Sequence, residues 1–177
     1  MRLDPKYFNL FIGICALLTL IVIIYGTINY SQKQVREFRE NIAEVQIDTL
    51  SFEQYEIMDK LLLTELEGEP VVIQFWSTWS GKSMAVNGFL DEYRKENPDL
   101  TILAAVVRDG DELVMDYIEE HSYPFRYVRG TPLFQKLLIP GVPSQILIDR
   151  NMNLYSTLVG DDLEELKSEL DRLMRNE

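Results

Sequence analysis

The sequence predicts an α/β domain, a central mixed sheet with helices on both faces, preceded by one N-terminal transmembrane helix. Two short apolar runs, 71–76 (VVIQFW) and 100–107 (LTILAAVV), each stand before a helical pattern, as parallel strands covered on both faces do. The last third of the chain sets two strand patterns around a turn at 150–153 and closes on an amphipathic helix. No charged residue appears between Tyr7 and Gln32.

At 177 residues, 46% hydrophobic and 26% charged, the chain has room for one folded domain and an appendage. Its 17 basic against 29 acidic residues give a net charge of -12, which argues against a nucleic-acid partner, because phosphate binding needs clustered Lys and Arg. Cys15 is the single cysteine and lies inside the apolar run. An intramolecular disulfide and a site of several thiolates are therefore excluded by count, and Cys15 reads as a small apolar filler. His121 is also single, so no metal and no cofactor is expected.

Taken in order, residues 1–6 form a short tail and 7–30 the membrane helix. Residues 8–25 are apolar but for Asn9 and Thr19, close to the roughly 20 residues a span requires. Tyr7, Tyr25 and Tyr30 stand where interfacial aromatic belts lie. A cleaved signal peptide fits less well, since its apolar part runs to about 7–15 residues and ends in small residues. Arg2 and Lys6 before the span are balanced by Lys33, Arg36 and Arg39 after it, so charge gives no orientation. Residues 31–49 form a stalk in which Val35, Phe38, Ile42 and Val45 make the stripe of an amphipathic helix, one that continues the anchor, packs on the domain or forms a brief dimer seam.

The domain is expected over 50–177. From Phe52, the residues Tyr55, Met58, Leu61, Leu62 and Leu66 share one face of an expected helix that Gly68 and Pro70 stop. After strand 71–76, helix 81–96 buries Val86, Phe89, Leu90 and Tyr93 and ends at Asn97-Pro98. Strand 100–107 is followed by an Asp109-Gly110-Asp111 turn and a helix to about Glu120 that buries Leu113, Val114, Tyr117 and Ile118. A short strand at 125–128, a short helix at 132–138 and strands at 144–149 and 154–159 follow. In the closing helix Asp161 is the expected N-cap with Glu164 three positions on, and Leu163, Leu166, Leu170 and Leu173 form the buried stripe.

Phe75-Trp76-Ser77-Thr78-Trp79, the turn Ser80-Gly81-Lys82-Ser83, and later Gly141-Val142-Pro143-Ser144 with Leu147-Ile148-Asp149 carry a resemblance. Together they resemble the thioredoxin superfamily, in particular its membrane-anchored TlpA/ResA-like branch, over about residues 50–175. The resemblance implies a thioredoxin-like fold, a cis peptide at Pro143 and an extended-peptide groove formed by Trp79, Gly81, Lys82, Val142 and Pro143. It also implies a single-pass protein of the cytoplasmic (inner) membrane with its domain on the periplasmic or extracytoplasmic side. The family activity would be thiol–disulfide exchange by a C-x-x-C pair, and both of those positions are serine here, Ser80 and Ser83. A thiolate is stabilised at a helix N-terminus, whereas a serine hydroxyl stays protonated there and forms no disulfide. Gly88 stands where many relatives carry a helix-kinking proline, and Gln74 where thioredoxin itself has a buried acid.

Other chemistries for the turn fare worse. A phosphate loop needs glycine five residues before Gly81, and Trp76 is there. A simple anion on the helix N-terminus beside Lys82 asks for less. A hydrolytic serine needs a base in reach, and Lys82 and His121 are the candidates. The expectation is therefore a membrane-anchored module, redox-inactive as written, that binds or scaffolds a protein or peptide partner through the groove and makes no use of nucleic acid. The alternative is a TlpA/ResA-like thiol–disulfide oxidoreductase whose two cysteines have been replaced by engineering or degeneration.

Overall fold

The chain begins in one continuous helix, Pro5–Ala43 (α1), in a computed structural model that describes residues 5–57 and 59–175. The expectations on Arg2 and Met58, and on the side chains of Lys6 and Tyr7, lie outside what is described. By length and composition α1 is apolar enough to cross a membrane. Its residues 8–33 are exposed, and partial burial starts at Gln34 and Val35. Phe38 and Ile42 are fully buried, and Asn41 Nδ2 donates to the Leu137 carbonyl at 3.1 Å. The amphipathic stripe of the stalk is thus spent on the domain, because two large apolar side chains gain more from a core than from water.

The helix expected from Phe52 to Leu66 is not there. Ser51–Glu53 (β1) and Lys60–Leu62 (β2) pair antiparallel, with Phe52 opposite Leu61, and a single 3-10 turn, Leu63–Leu66, follows. Each strand buries only its middle residue, so Phe52 and Leu61 enter the core as a cross-strand pair while Leu63 and Leu66 enter from the turn. An apolar spacing that fitted one helical face fitted a hairpin plus a tight turn as well, and the core decided between them. Tyr55, in the hairpin loop, donates its backbone N–H to the Tyr127 carbonyl at 3.0 Å.

The main sheet alternates with helices: Val71–Trp76 (β3), Gly81–Glu96 (α2), Thr101–Val106 (β4), Asp111–His121 (α3), Arg126–Arg129 (β5), Thr131–Lys136 (α4), Ser144–Ile148 (β6), Leu154–Val159 (β7) and Leu163–Arg175 (α5). The strand order is β5-β4-β3-β6-β7. β3 runs parallel to β4 and antiparallel to β6, and β7 is antiparallel to β6. The C-terminal ends of β3 and β7 and the start of β6 therefore share one end of the sheet, the head; the 150–153 turn and the entry to β3 share the other, the floor. Gly68 N–H meets the Arg150 carbonyl at 2.9 Å on that floor.

β3 is buried at all six positions because both its faces are covered. Val71, Ile73 and Phe75 face a core closed by α1, the hairpin and α4. Val72 and Trp76 face a second core closed by α2, α3 and α5. Leu113, expected inside, is 58% exposed, while Val114 and Tyr117 of the same expected stripe are buried and Ile118 is half-buried. The cap of α5 is Asp162, whose Oδ1 accepts from the N–H groups of Glu164 and Glu165 at 3.1 and 3.0 Å, which corrects the expectation of Asp161. One residue decides this, since Asp161 is drawn to a lysine across the head.

Two glycines bear opposite loads. A Cβ at Gly130 would lie 2.8 Å from the backbone carbon and Cβ of Ala105, whereas one at Gly88, inside α2, would meet only the Tyr123 hydroxyl at an ordinary 3.7 Å. In the detergent-solubilised chain, Gly130→Ala is expected to lower stability by about 1–3 kcal/mol through overpacking. Gly88→Ala is expected to raise it by about 0.5–1 kcal/mol by removing helix-interior glycine entropy. Chemical denaturation midpoints check both, and a destabilising Gly88→Ala would show that the helix needs freedom there.

Candidate functional site at the head of the sheet

The turn between β3 and α2 is fastened to the neighbouring strand rather than left loose. Val107 N–H donates to the Trp76 carbonyl at 2.9 Å, and the buried Ser77 hydroxyl donates back to the Val107 carbonyl. Thr78 then donates twice to Asp109, from its backbone N–H to Oδ2 at 2.6 Å and from its hydroxyl to Oδ1 at 3.1 Å. An ionised acceptor makes such bonds short and strong. With both neighbours pinned, Trp79 is projected outward and stays 66% exposed.

Ser80 is the N-cap of α2, its Oγ accepting from Ser83 N–H at 3.2 Å. That satisfies one of the donors a helix leaves open at its start. Ser83 is fully buried, and its Oγ has no hydrogen-bond partner among the described residues. Among the described residues neither hydroxyl is hydrogen-bonded to a side chain that could act as a base. Lys82 Nζ lies 2.9 Å from Asp161 Oδ1 across the head, which holds the Asp161 carboxyl below its usual range. His121 closes the far end of α3, stacked on Tyr117 with ring centres 4.0 Å apart. The two candidates for an activating base are thus occupied elsewhere, and the requirement for a serine nucleophile is unmet at this turn.

The Val142–Pro143 peptide is cis, and Pro143 is buried. Ser144 pairs with Phe75 across the β3–β6 ladder, and the Pro143 carbonyl accepts from Gly160 N–H at 3.0 Å. Trp79, Gly81, Lys82, Val142 and Pro143 therefore gather at the head, with Trp79, Gly81 and Lys82 exposed and Val142 half-buried. Beneath them, Trp76 packs against Tyr117 at 4.5 Å between ring centres, and Asn87 Nδ2 in α2 donates to the Tyr117 hydroxyl at 3.2 Å. Burial pushes the Tyr117 phenol up to about 12 and raises that of Tyr127 as well, so both remain neutral. Gln74 faces its cross-strand neighbour Gln145, whose Nε2 donates to Gln74 Oε1 at 2.8 Å, while Gln74 Nε2 has no partner among the described residues.

Asp109 and Asp161 escaped the sequence reading, which took the first as a turn former and the second as a cap. A signal existed: both follow strands that run parallel to β3, and so both end at the same edge of the sheet. Among the described residues no group of His, Cys, Asp and Glu has the arrangement to hold a metal ion.

No family model matches the chain. Over 113 residues it is 24% identical to the thiol-disulfide oxidoreductase ResA of Bacillus cereus, which covers 60% of this chain and 64% of that protein. The chain thus aligns with somewhat less than two thirds of that relative's length. Among solved structures, a secreted disulfide oxidoreductase of Mycobacterium tuberculosis superposes with a TM-score of 0.62 at 14% identity, over 72% of this chain and 98% of that one. A DsbF homologue from Corynebacterium diphtheriae gives 0.61 at 17%, over 70% and 83%. StoA from Bacillus subtilis gives 0.55 at 15%, over 68% and 95%. The fold is thioredoxin-like. In it the helix start that follows β3 carries Ser80 and Ser83, and the one cysteine, Cys15, is on α1.

The two serines differ in what they do for the helix, and substitution separates them. Ser80→Ala is expected to cost about 0.5–2 kcal/mol, the range for losing an N-cap. Ser83→Ala removes a buried hydroxyl without a partner and is expected to be neutral or slightly stabilising, because only a desolvated polar group is lost. Thermal unfolding of the two variants in detergent checks the order; a larger loss for Ser83→Ala would mean that its hydroxyl is bonded after all.

Proposed function

We propose that this chain is a membrane-anchored thioredoxin-like module that binds an extended protein segment in the groove around Trp79 and Pro143 and performs no thiol chemistry as written. The observation that carries this reading is the pair of hydroxyls at the helix start: Ser80 is consumed as a cap, Ser83 is buried, and neither can hold a disulfide. What remains at the head is a rigid surface with one large exposed aromatic, the kind of anchor that dominates protein recognition. The anchor is α1, single-pass in the cytoplasmic membrane, with the domain on the periplasmic or extracytoplasmic side. The membrane is one partner, through residues 7–30, and a protein or peptide is the other.

A second reading keeps the enzyme class. The relatives include thiol-disulfide oxidoreductases by name, and the turn that would present two sulfurs is intact, one helical turn wide and bonded to Asp109. On that reading the serines replace cysteines in a TlpA/ResA-like oxidoreductase.

One pair of measurements tests both. The chain as written is expected not to accelerate the reduction of insulin disulfides by dithiothreitol above the uncatalysed background. The Ser80→Cys/Ser83→Cys variant is expected to form a reversible internal disulfide, seen as a shift on thiol alkylation. Turnover by the unaltered chain would end the binding-module reading, and failure of the double variant to oxidise would end the second. For the groove itself, extended peptides selected on the full chain are expected to bind Trp79→Ala at least about fivefold more weakly, close to 1 kcal/mol.

A further inference from the structure

The direction in which α1 enters the domain settles which end of the sheet looks at the membrane. The last turn of α1 sits on the floor: Ile42, Ala43, Val45 and Ile47 share a cleft with Asn151, Met152, Asn153 and Leu154. One turn earlier, Arg39 and Ile42 share a cleft with the strand residues Leu154 to Thr157. Lower numbers on α1 therefore match higher numbers on β7, so the helix runs antiparallel to β7 and its membrane side leaves past the head. From Ala43 back to residue 32 is about 17 Å of helix, and Leu154 to Val159 is about 17 Å of strand. The end of β7 thus draws level with about residue 32, the position at which the uncharged stretch stops. Burial on α1 begins at Gln34, which marks the same height independently.

We propose that the domain is held with its Trp79–Pro143 groove turned toward the bilayer, close above the headgroups, and that the segment it takes is the extended juxtamembrane stretch of another membrane protein. This rests on the anchor and groove readings above. The opposite orientation would require α1 to break between residue 32 and Phe38, yet the helix is continuous there and its next two turns are locked by Phe38, Ile42 and the Asn41 bond to Leu137. The occupant is a protein rather than the lipid surface itself. The head carries Asp109, Asp111, Glu112, Asp161 and Asp162 against Lys82, Arg108 and Arg129; Lys82 pairs with Asp161 and Arg129 with Asp111, so the rim stays net acidic on a chain of net charge -12, and an anionic headgroup layer repels it. An exposed Trp on such a rim instead favours a segment with an apolar side chain and neutral or basic flanks. A segment emerging from the bilayer meets this groove within the first few residues after its span, while a soluble protein would have to enter the narrow space beneath the domain.

The test uses the full chain reconstituted in phosphatidylcholine vesicles, with Cys15→Ser and one new cysteine at either end of β7, Val159→Cys or Asn151→Cys, carrying a fluorophore. Quenching by lipids spin-labelled at the headgroup is expected to be severalfold stronger at position 159 than at 151. Equal quenching, or stronger quenching at 151, overturns the orientation. In native membranes, a benzophenone amino acid at position 79 is then cross-linked and the adduct peptides are mapped. Adducts next to a membrane span of the partner are expected, and adducts confined to soluble proteins overturn the juxtamembrane assignment. The absence of any protein adduct beside an intact quenching pattern sinks the groove reading and leaves the orientation standing.

Discussion

β3 is hydrogen-bonded along both edges and covered on both faces, and the geometry of the head depends on that confinement. A strand with no free edge and no free face cannot shift register without turning its apolar residues into the wrong layer. Its last residue, Trp76, is fixed in the second core against Tyr117, so the turn that follows starts from a set position and direction. The bonds of Ser77 to Val107 and of Thr78 to Asp109 extend the same constraint past the end of the ladder. The helix start, the exposed Trp79 and the Pro143 loop are rigid by inheritance from the strand beneath them.

That rigidity has a chemical consequence when the sulfurs are absent. A helix N-terminus stabilises negative charge, and a thiol placed there ionises readily. A hydroxyl in the same field does not ionise, so its best use is as an acceptor for the helix N–H groups. Ser80 does this, and Ser83, in the first turn of the helix, is buried with no partner for its hydroxyl among the described residues. The strand position below the turn carries a neutral amide, Gln74, whose Oε1 accepts from Gln145 while its buried Nε2 has no partner among the described residues.

The stalk ties this head to the helix before it. Phe38 and Ile42 are as buried as any residue of the sheet, so α1 belongs to the domain's core at one end and to the apolar run at the other. A helix locked in this way transmits the attitude of the domain to whatever holds the apolar run, in a way a flexible linker of the same length would not.

Much of this was legible in the sequence. The strands at 71–76 and 154–159 and the helices at 81–96 and in the closing segment rest on local apolar periodicity and turn residues, which the chain determines by itself, and the thioredoxin-like arrangement on the resemblance carried by residues 75–83 and 141–149. That positions 80 and 83 are hydroxyls is also read directly, a matter of atoms and not of conformation. The hairpin at 51–62 was not legible, because Tyr55, Leu61, Leu62 and Leu66 fit a helical face by spacing, and only the shared core with α1, which takes Phe52 and Leu61 as a cross-strand pair, favours the hairpin. Nor were the roles of Asp109 and Asp161, or the direction in which α1 passes the sheet. The two aspartates meet partners 31 and 79 positions away, and α1 is fixed by a bond 96 positions away; no local pattern encodes a contact that closes only when the whole sheet has formed.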